Sequence, residues 1–541
     1  MSRIIFVFII FTFCQFSAQA QILKHYNDFE LEWGEMFRSS GNVESLTKTK
    51  DGQYISLINR TTLYNFFTDY KKRYYLESIE NLEPQKRHKL KLYGDGKRTN
   101  LEGISVVENQ LVALSRKNFR SKRKTGVYYH FLYPNRLDTE SEGYQIGMYS
   151  NTSSRNQFDF LSITNNLNKT KAGIFYTIPS SGFDYPSYAF GILDATEKLL
   201  IKKESLFPYL NKHVTFFDDY LSPNGDYYVL AKEYQTNNTG INWGWGDERY
   251  KQIRVFKVVN GKLNDFKINQ SEFLFSDLNI TTSDGGNLIF SGMYSEDKNS
   301  GIHGLFFIKL KPDGTIISKN YHSFSKDFMT SGKPTWSWNR ASNRNNTGKF
   351  ESGLGNFKMQ ELRKTSDGGY IGVAEHFEIE ERYSGSGAPG TSNRIDTYYY
   401  YDDLIVYKLN KSGEVEWKKR IPKSQSSTND GGYYLSIVQT LTDKHLYILF
   451  NDDTRNYDDN NFYLNLENPK SARFNARRNT MAVTKITLKT GAINRYSIGG
   501  KKELSVIMVP KVSVENKIDN EILLYGRSGK RHRYGSIVFN D

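Results

Sequence analysis

Apolar positions along this chain recur in short alternating runs broken by tight polar turns, the period of two that marks half-buried strands. One phrase repeats: an alternating run, an Asp-Gly or Asn-Gly turn, then a second run. Its clearest copies are Lys50-Asp51-Gly52-Gln53-Tyr54-Ile55, Ser222-Pro223-Asn224-Gly225-Asp226-Tyr227, Ser283-Asp284-Gly285-Gly286-Asn287-Leu288 and Ser366-Asp367-Gly368-Gly369-Tyr370-Ile371. Asp and Asn tolerate the positive φ that such a turn demands, and Gly adopts it freely, so each copy predicts a β-hairpin. Weaker copies centred on Asn109, Asn168, Asp443 and Asp519 fill the intervals and bring the series to eight.

A second phrase follows several hairpins, an apolar strand containing Lys and ending at a Gly turn. Leu305-Phe306-Phe307-Ile308-Lys309-Leu310 runs to Gly314, Leu404-Ile405-Val406-Tyr407-Lys408-Leu409 to Gly413, and Ile253-Arg254-Val255-Phe256-Lys257-Val258 to Gly261. Each unit then reads strand, tight turn, strand, variable loop, strand, tight turn, strand. A four-stranded antiparallel sheet repeated around an axis is a β-propeller. The expected fold is therefore all-β, a single β-propeller over residues 21–541, with eight blades favoured and seven if the weakest copies, at Asn109 and Asn168, do not each found a blade. Leu31-Glu32-Trp33-Gly34-Glu35 matches the fourth-strand segment Val415-Glu416-Trp417-Lys418-Lys419, while the last unit supplies no fourth strand of its own before Asp541. The N-terminal strand, near Phe29 to Phe37, is thus expected to complete the last blade and remove an open edge.

In such a blade the first and third turns share one face, and the second turn and the link to the next blade share the other. The short Asp-Gly turns occupy the first face. Long insertions near 237–251, 321–355, 378–403 and 451–480 fall on the second. They hold Trp243 and Trp245, then Trp336, Trp338 and Arg340, then Tyr399 and Tyr401 within the run Tyr398 to Tyr401. Trp, Tyr and Arg dominate binding hot spots, and long structured loops tend to be functional, so these seven are the candidate ligand-binding residues. Alternation along the Tyr run is expected to bury two rings and expose two. Trp33 and Trp417 sit in strands and read as packing residues.

The first twenty residues look like an address. Arg3, the apolar run Ile4 to Phe16 and the small residues Ser17-Ala18-Gln19-Ala20 make a signal peptide cleaved before Gln21. A run of thirteen residues falls short of the roughly 20 needed to span a bilayer, so no transmembrane segment is expected in the mature chain. The only cysteine, Cys14, lies in this leader, which excludes disulfides, Cys nucleophiles and Cys-based metal sites from the mature protein. With 73 Lys+Arg against 59 Asp+Glu the net charge is +14, or +13 without Arg3, but the basic residues are spread along the chain, which reads as a solvated surface and not as a nucleic-acid interface.

Nine dispersed His, with no i, i+2 or i, i+4 pair, give no compact metal site. Asp452-Asp453 with Asp458-Asp459 lack the ordered spacing and Gly of a calcium loop. No Gly-x-Ser-x-Gly elbow, Walker loop or dinucleotide fingerprint occurs, so catalytic residues stay unassigned and neither metal nor cofactor is expected.

The Asp-Gly-Gly-Tyr hairpin followed by the apolar-Lys-apolar strand and Gly turn resembles exported β-propeller repeat proteins of Gram-negative bacteria. The resemblance covers nearly the whole mature chain and concerns architecture, since such blades serve many roles. It implies a periplasmic, outer-membrane-associated or extracellular location. The function expected is a binding or scaffold module for a cell-envelope glycan or protein partner. The alternative is a polysaccharide-active lyase or hydrolase with its site on the insertion face.

Overall fold

The repeated phrase becomes a repeated sheet in the computed structural model, which describes residues 22–540 apart from 64–69, 120, 122, 134–139, 151–159, 179–186, 197–198, 207–213, 235–249, 260–261, 270–272, 297–300, 331–353, 385–393 and 518. Seven four-stranded antiparallel sheets follow one another at 42–89, 100–150, 160–206, 214–269, 274–323, 357–428 and 438–497, each with its strands in chain order. The first hairpins of the first, fourth, fifth and sixth sheets share one device. The residue before the turn accepts a backbone bond from the Gly, as in Gly52 N to Thr49 O (3.1 Å) and Gly225 N to Ser222 O (2.9 Å). Both glycines hold a positive φ, 90° and 92°, which a side chain would strain. The same Ser or Thr then accepts with its hydroxyl from the far side of the turn, Gln53 N to Thr49 Oγ1 at 3.0 Å and Asp226 N to Ser222 Oγ at 2.9 Å.

An eighth sheet joins the two ends of the chain. Phe29–Trp33 pairs antiparallel with Arg531–Phe539, from Phe29 opposite Phe539 to Trp33 opposite Gly535. Arg531–Phe539 in turn pairs with Glu521–Ser528, whose other edge takes Ile507–Met508 and Val514–Asn516. An outer strand, Ile22–His25, that the sequence reading did not anticipate lies against Phe29–Trp33.

Apolar clusters sit between consecutive sheets. Leu76 of the first packs with Leu111 of the second, Phe307 of the fifth with Ile405 of the sixth, and Val483 of the seventh with Leu524 of the closing sheet. The series then returns to its start, because Leu523 and Tyr525 of the closing sheet pack with Val43 and Ile58 of the first. A closed ring of antiparallel sheets with a shared core between neighbours is a β-propeller. No described helix is long and apolar enough to cross a membrane.

Candidate binding face

Of the seven candidate residues, Trp243, Trp245, Trp336, Trp338 and Arg340 lie outside the described residues, and Tyr399 and Tyr401 lie within them. Both tyrosines stand on strand where an insertion loop was expected. Strand Tyr370–Ser384 and strand Arg394–Leu409 continue past the sixth sheet as a long hairpin arm, paired from Phe377 opposite Tyr401 out to Ser384 opposite Arg394. Irregularities between Glu375 and Phe377 and between Asp402 and Leu404 mark where the arm leaves the sheet, as bulges that redirect strands do. Val415–Thr428 runs alongside as a third strand as far as Thr428 opposite Tyr398.

Directly opposed residues share a face, so the register sorts the arm into two. Phe377, Tyr401, Ile379, Tyr399 and Ile395 lie on one, and Glu378, Tyr400, Glu380, Tyr398 and Arg382 on the other. The second face is self-satisfied. The Arg382 guanidinium sits 4.1 Å from the Tyr398 ring centre, donates to Tyr400 Oη at 3.1 Å and pairs with Glu380 at 2.8 Å. The first face also carries Glu381 opposite Thr397 but is otherwise apolar, and it is open, with Ile379 50% and Ile395 49% exposed.

At its root the Tyr401 ring lies 4.8 Å from Phe377, and Lys511 Nζ donates to its hydroxyl at 3.0 Å. Burial, and then Glu375, pushes the Tyr401 phenol up to about 12, so it keeps its proton at neutral pH. The expectation that alternation buries two of the four tyrosines is corrected here. All four are half-buried, so the alternation of covered and open positions that a layered sheet imposes does not extend along the arm.

The arm is held by a buried polar network. Lys423 and Glu375, neither of them exposed, pair at 2.8 Å, and Lys423 Nζ also donates to Tyr401 O (2.8 Å) and Gln425 Oε1 (3.0 Å). Gln425 Nε2 reaches Asn451 O in the seventh sheet at 2.9 Å, and Asn451 Nδ2 reaches Met508 O in the closing sheet at 2.8 Å. Such a network fixes geometry more than it adds stability. Three of the four aspartates of the 451–480 insertion, Asp452, Asp453 and Asp458, are consumed locally. Asp452 accepts from Tyr457 Oη (2.7 Å) and Asn456 Nδ2 (2.7 Å) and pairs with Arg495, while Asp453 pairs with Arg455 at 2.8 Å. Asp458 accepts from Phe462 N at 2.8 Å within its own turn, and Phe462 beyond it is 59% exposed. Among the described residues no group of three or more His, Cys, Asp or Glu is placed to hold a metal ion.

Sequence reasoning missed a second feature, on the axis. A cavity of about 810 Å³ opens toward the tight-turn face and is lined by residues of six sheets, among them Asn168, Asp218, Asn279, Glu361, Leu441 and Lys517. Burial chiefly raises the Asp218 carboxyl to about 7, with Asp219 and Asp277 adding to it. Glu361 goes the other way: burial works upward but is outweighed by Arg363 and Lys517, which hold it down to about 2. Arg363 also reaches Glu515 of the closing sheet with two bonds of 2.5 and 2.6 Å.

The sequence matches no protein-family model and no curated relative. Among solved structures it is similar to the WD40 domain of SCAP from fission yeast, with 8% identity, a TM-score of 0.41 and coverage of 96% of this chain and 98% of that one. Similarity also extends to the polysaccharide lyase Uly1, with 10% identity, a TM-score of 0.36 and coverage of 83% and 93%. The β-propeller domain of the Trilobed protease from Pyrococcus furiosus gives 9% identity, a TM-score of 0.31 and coverage of 71% and 96%. At these identities the similarities carry nothing about activity.

Proposed function

We propose that this chain is an exported eight-bladed propeller that works as a binding module of the cell envelope, docking a protein partner on its insertion face. The observation that carries this reading is the two-faced arm. Its polar face is internally satisfied, while its other face presents Ile379, Tyr399, Ile395 and the rim of Tyr401 to solvent. A projecting apolar surface on an otherwise well-patterned protein is a site for contact. The exposed isoleucines favour a protein surface over a glycan, since sugar rings stack on flat aromatic faces and gain little from branched aliphatic ones. The buried Lys423–Glu375 root pre-organises the arm, which lowers the ordering cost of binding.

A photo-crosslinking residue placed at Ile395 in the native host tests this. We expect a discrete protein adduct from position 395 that disappears when Ile379 and Tyr399 are both changed to Ser. The same probe at Ile316, an equally exposed position on a blade's outer strand at 56%, should give none. Equal labelling from both positions, or an adduct indifferent to the Ser changes, contradicts the arm as the docking element. A glycan array on the purified chain tests the glycan reading separately.

A further inference from the structure

A different site lies on the same face, between the first two sheets. The start of strand Tyr70–Glu80, the segment 90–101 and the end of strand Gln110–Phe119 enclose a cavity of about 500 Å³. Lys72, Arg73, Arg98 and Lys117 line it, and no carboxylate does so among the described residues. None of the four makes an ion pair with a described residue. The carboxylates nearest the adjoining Tyr74 are engaged elsewhere, Glu44 by Asn59 Nδ2 at 2.5 Å and Glu102 by Arg116 at 2.9 Å. Four like charges gathered around one cavity repel one another unless something anionic enters.

An independent observation points the same way. Thr99, 7% exposed, lines the cavity, and its backbone N–H bonds Leu92 O at 2.8 Å, yet its hydroxyl oxygen has no hydrogen-bond partner. A buried hydroxyl left without a partner costs free energy that a ligand acceptor would recover. Leu90, Leu92 and Leu101 with the Tyr74 ring supply an apolar floor beside the charges.

We propose that this cavity binds the sulfate or phosphate ester of a sugar. The oxyanion would meet the Arg73 and Arg98 guanidiniums, the two ammoniums and the Thr99 hydroxyl, and the ring would rest on Tyr74 and the leucines. A tetrahedral oxyanion offers only acceptors, which suits a lining of donors, and guanidinium forks bind it in two-bond contacts. The floor distinguishes an ester from a bare ion because it rewards the attached body.

Calorimetric titration of the full chain with glucose 6-phosphate, N-acetylglucosamine 6-sulfate, the uncharged parent sugars, inorganic phosphate and inorganic sulfate tests the assignment. At least one ester should saturate a single site, with its inorganic ion at least tenfold weaker and the parent sugar not binding. Arg73→Gln with Lys117→Gln should weaken the ester at least tenfold, and Thr99→Val about threefold with no fall in melting temperature. Lys311→Gln with Lys530→Gln, which removes the same charge elsewhere, should change nothing. Loss in that control equal to the loss in the cavity variant, an inorganic ion as tight as the ester, or no saturable ester binding overturns the proposal. The phosphate and sulfate arms separate its two sources.

Discussion

A chain lacking residues 22–38 will not melt cooperatively. The deletion removes Phe29, Leu31 and Trp33, each no more than 1% exposed, from the cluster shared by the seventh and closing sheets. Truncating a buried Phe, Leu or Trp costs about 3 kcal/mol or more, so losing three approaches about 10 kcal/mol, comparable with the whole stability of an ordinary domain. It also strips Arg531–Phe539 of its outer partner and leaves a full strand edge open to pairing with other chains. Scanning calorimetry and light scattering on the truncated protein should show no sharp transition and a growing aggregate. An unchanged melt would mean that the ring is held by something other than this strand.

Asp218→Asn will stabilise the protein at pH 8 by about 3 kcal/mol and do little near pH 4. The Asp218 carboxyl titrates at about 7 in the fold against 3.8 unexposed to it, chiefly because burial disfavours its charge. A raised carboxyl takes up protons more readily when folded, so its ionisation is a cost that is fully present above pH 7 and fades as pH falls from 7 toward 3.8. The shift alone would give about 4 kcal/mol, reduced here because the group is partly exposed to the axial cavity. The neighbouring carboxyl is a useful contrast. Burial raises the Asp219 carboxyl too, but it accepts from Ser162 Oγ (2.7 Å), Thr164 Oγ1 (2.9 Å) and Tyr227 Oη (2.5 Å), and Asp219→Asn loses the Tyr227 bond, so it should stabilise less than Asp218→Asn. Denaturant titrations of Asp218→Asn and the parent at pH 8 and pH 4 decide the matter, and a loss at pH 8, or a gain of equal size at both, would refute the assignment.

The sheets were legible in the sequence because their signals are local. An Asp-Gly pair and the Ser or Thr before it specify a hairpin within six residues, and the copies lie far enough apart to be counted. Strand closure was legible for a different reason: Trp33 marks a fourth strand with no partner nearby, and it is fully buried in the ring where Trp417, its counterpart in sequence pattern, is only partly buried and donates from Nε1 to Leu488 O at 2.8 Å.

The length of the arm was not legible because the Gly-rich stretch at 385–390 signals a loop. The strands flanking it extend much further than local pattern implies, Tyr370–Ser384 and Arg394–Leu409 being 15 and 16 residues long. Its anchor could not be seen at all, since Lys423 and Glu375 are residue types that normally lie in water and their burial depends on three separate strands. The two cavities share that difficulty. Asp218 and Glu361 come from different sheets, as do Arg73 and Lys117, and dispersed basic residues read as a general surface until folding gathers four of them.

The blades form a single ring closed by Phe29–Trp33 against Arg531–Phe539. Glu30 and Val538 stand directly opposite each other in that pairing, both on the surface. Cys14 is the one cysteine of the sequence, so in a chain begun at Gln21 Glu30→Cys with Val538→Cys offers a single disulfide to form. Mass spectrometry of the oxidised, proteolysed protein should recover the 30–538 linkage in high yield. The control Glu35→Cys with Val538→Cys, displaced along the strand, should stay reduced. Closing so long a loop should also stabilise the protein by about 3 kcal/mol. A chain that stays reduced at 30 and 538, or that crosslinks as readily in the displaced control, would contradict the closed ring.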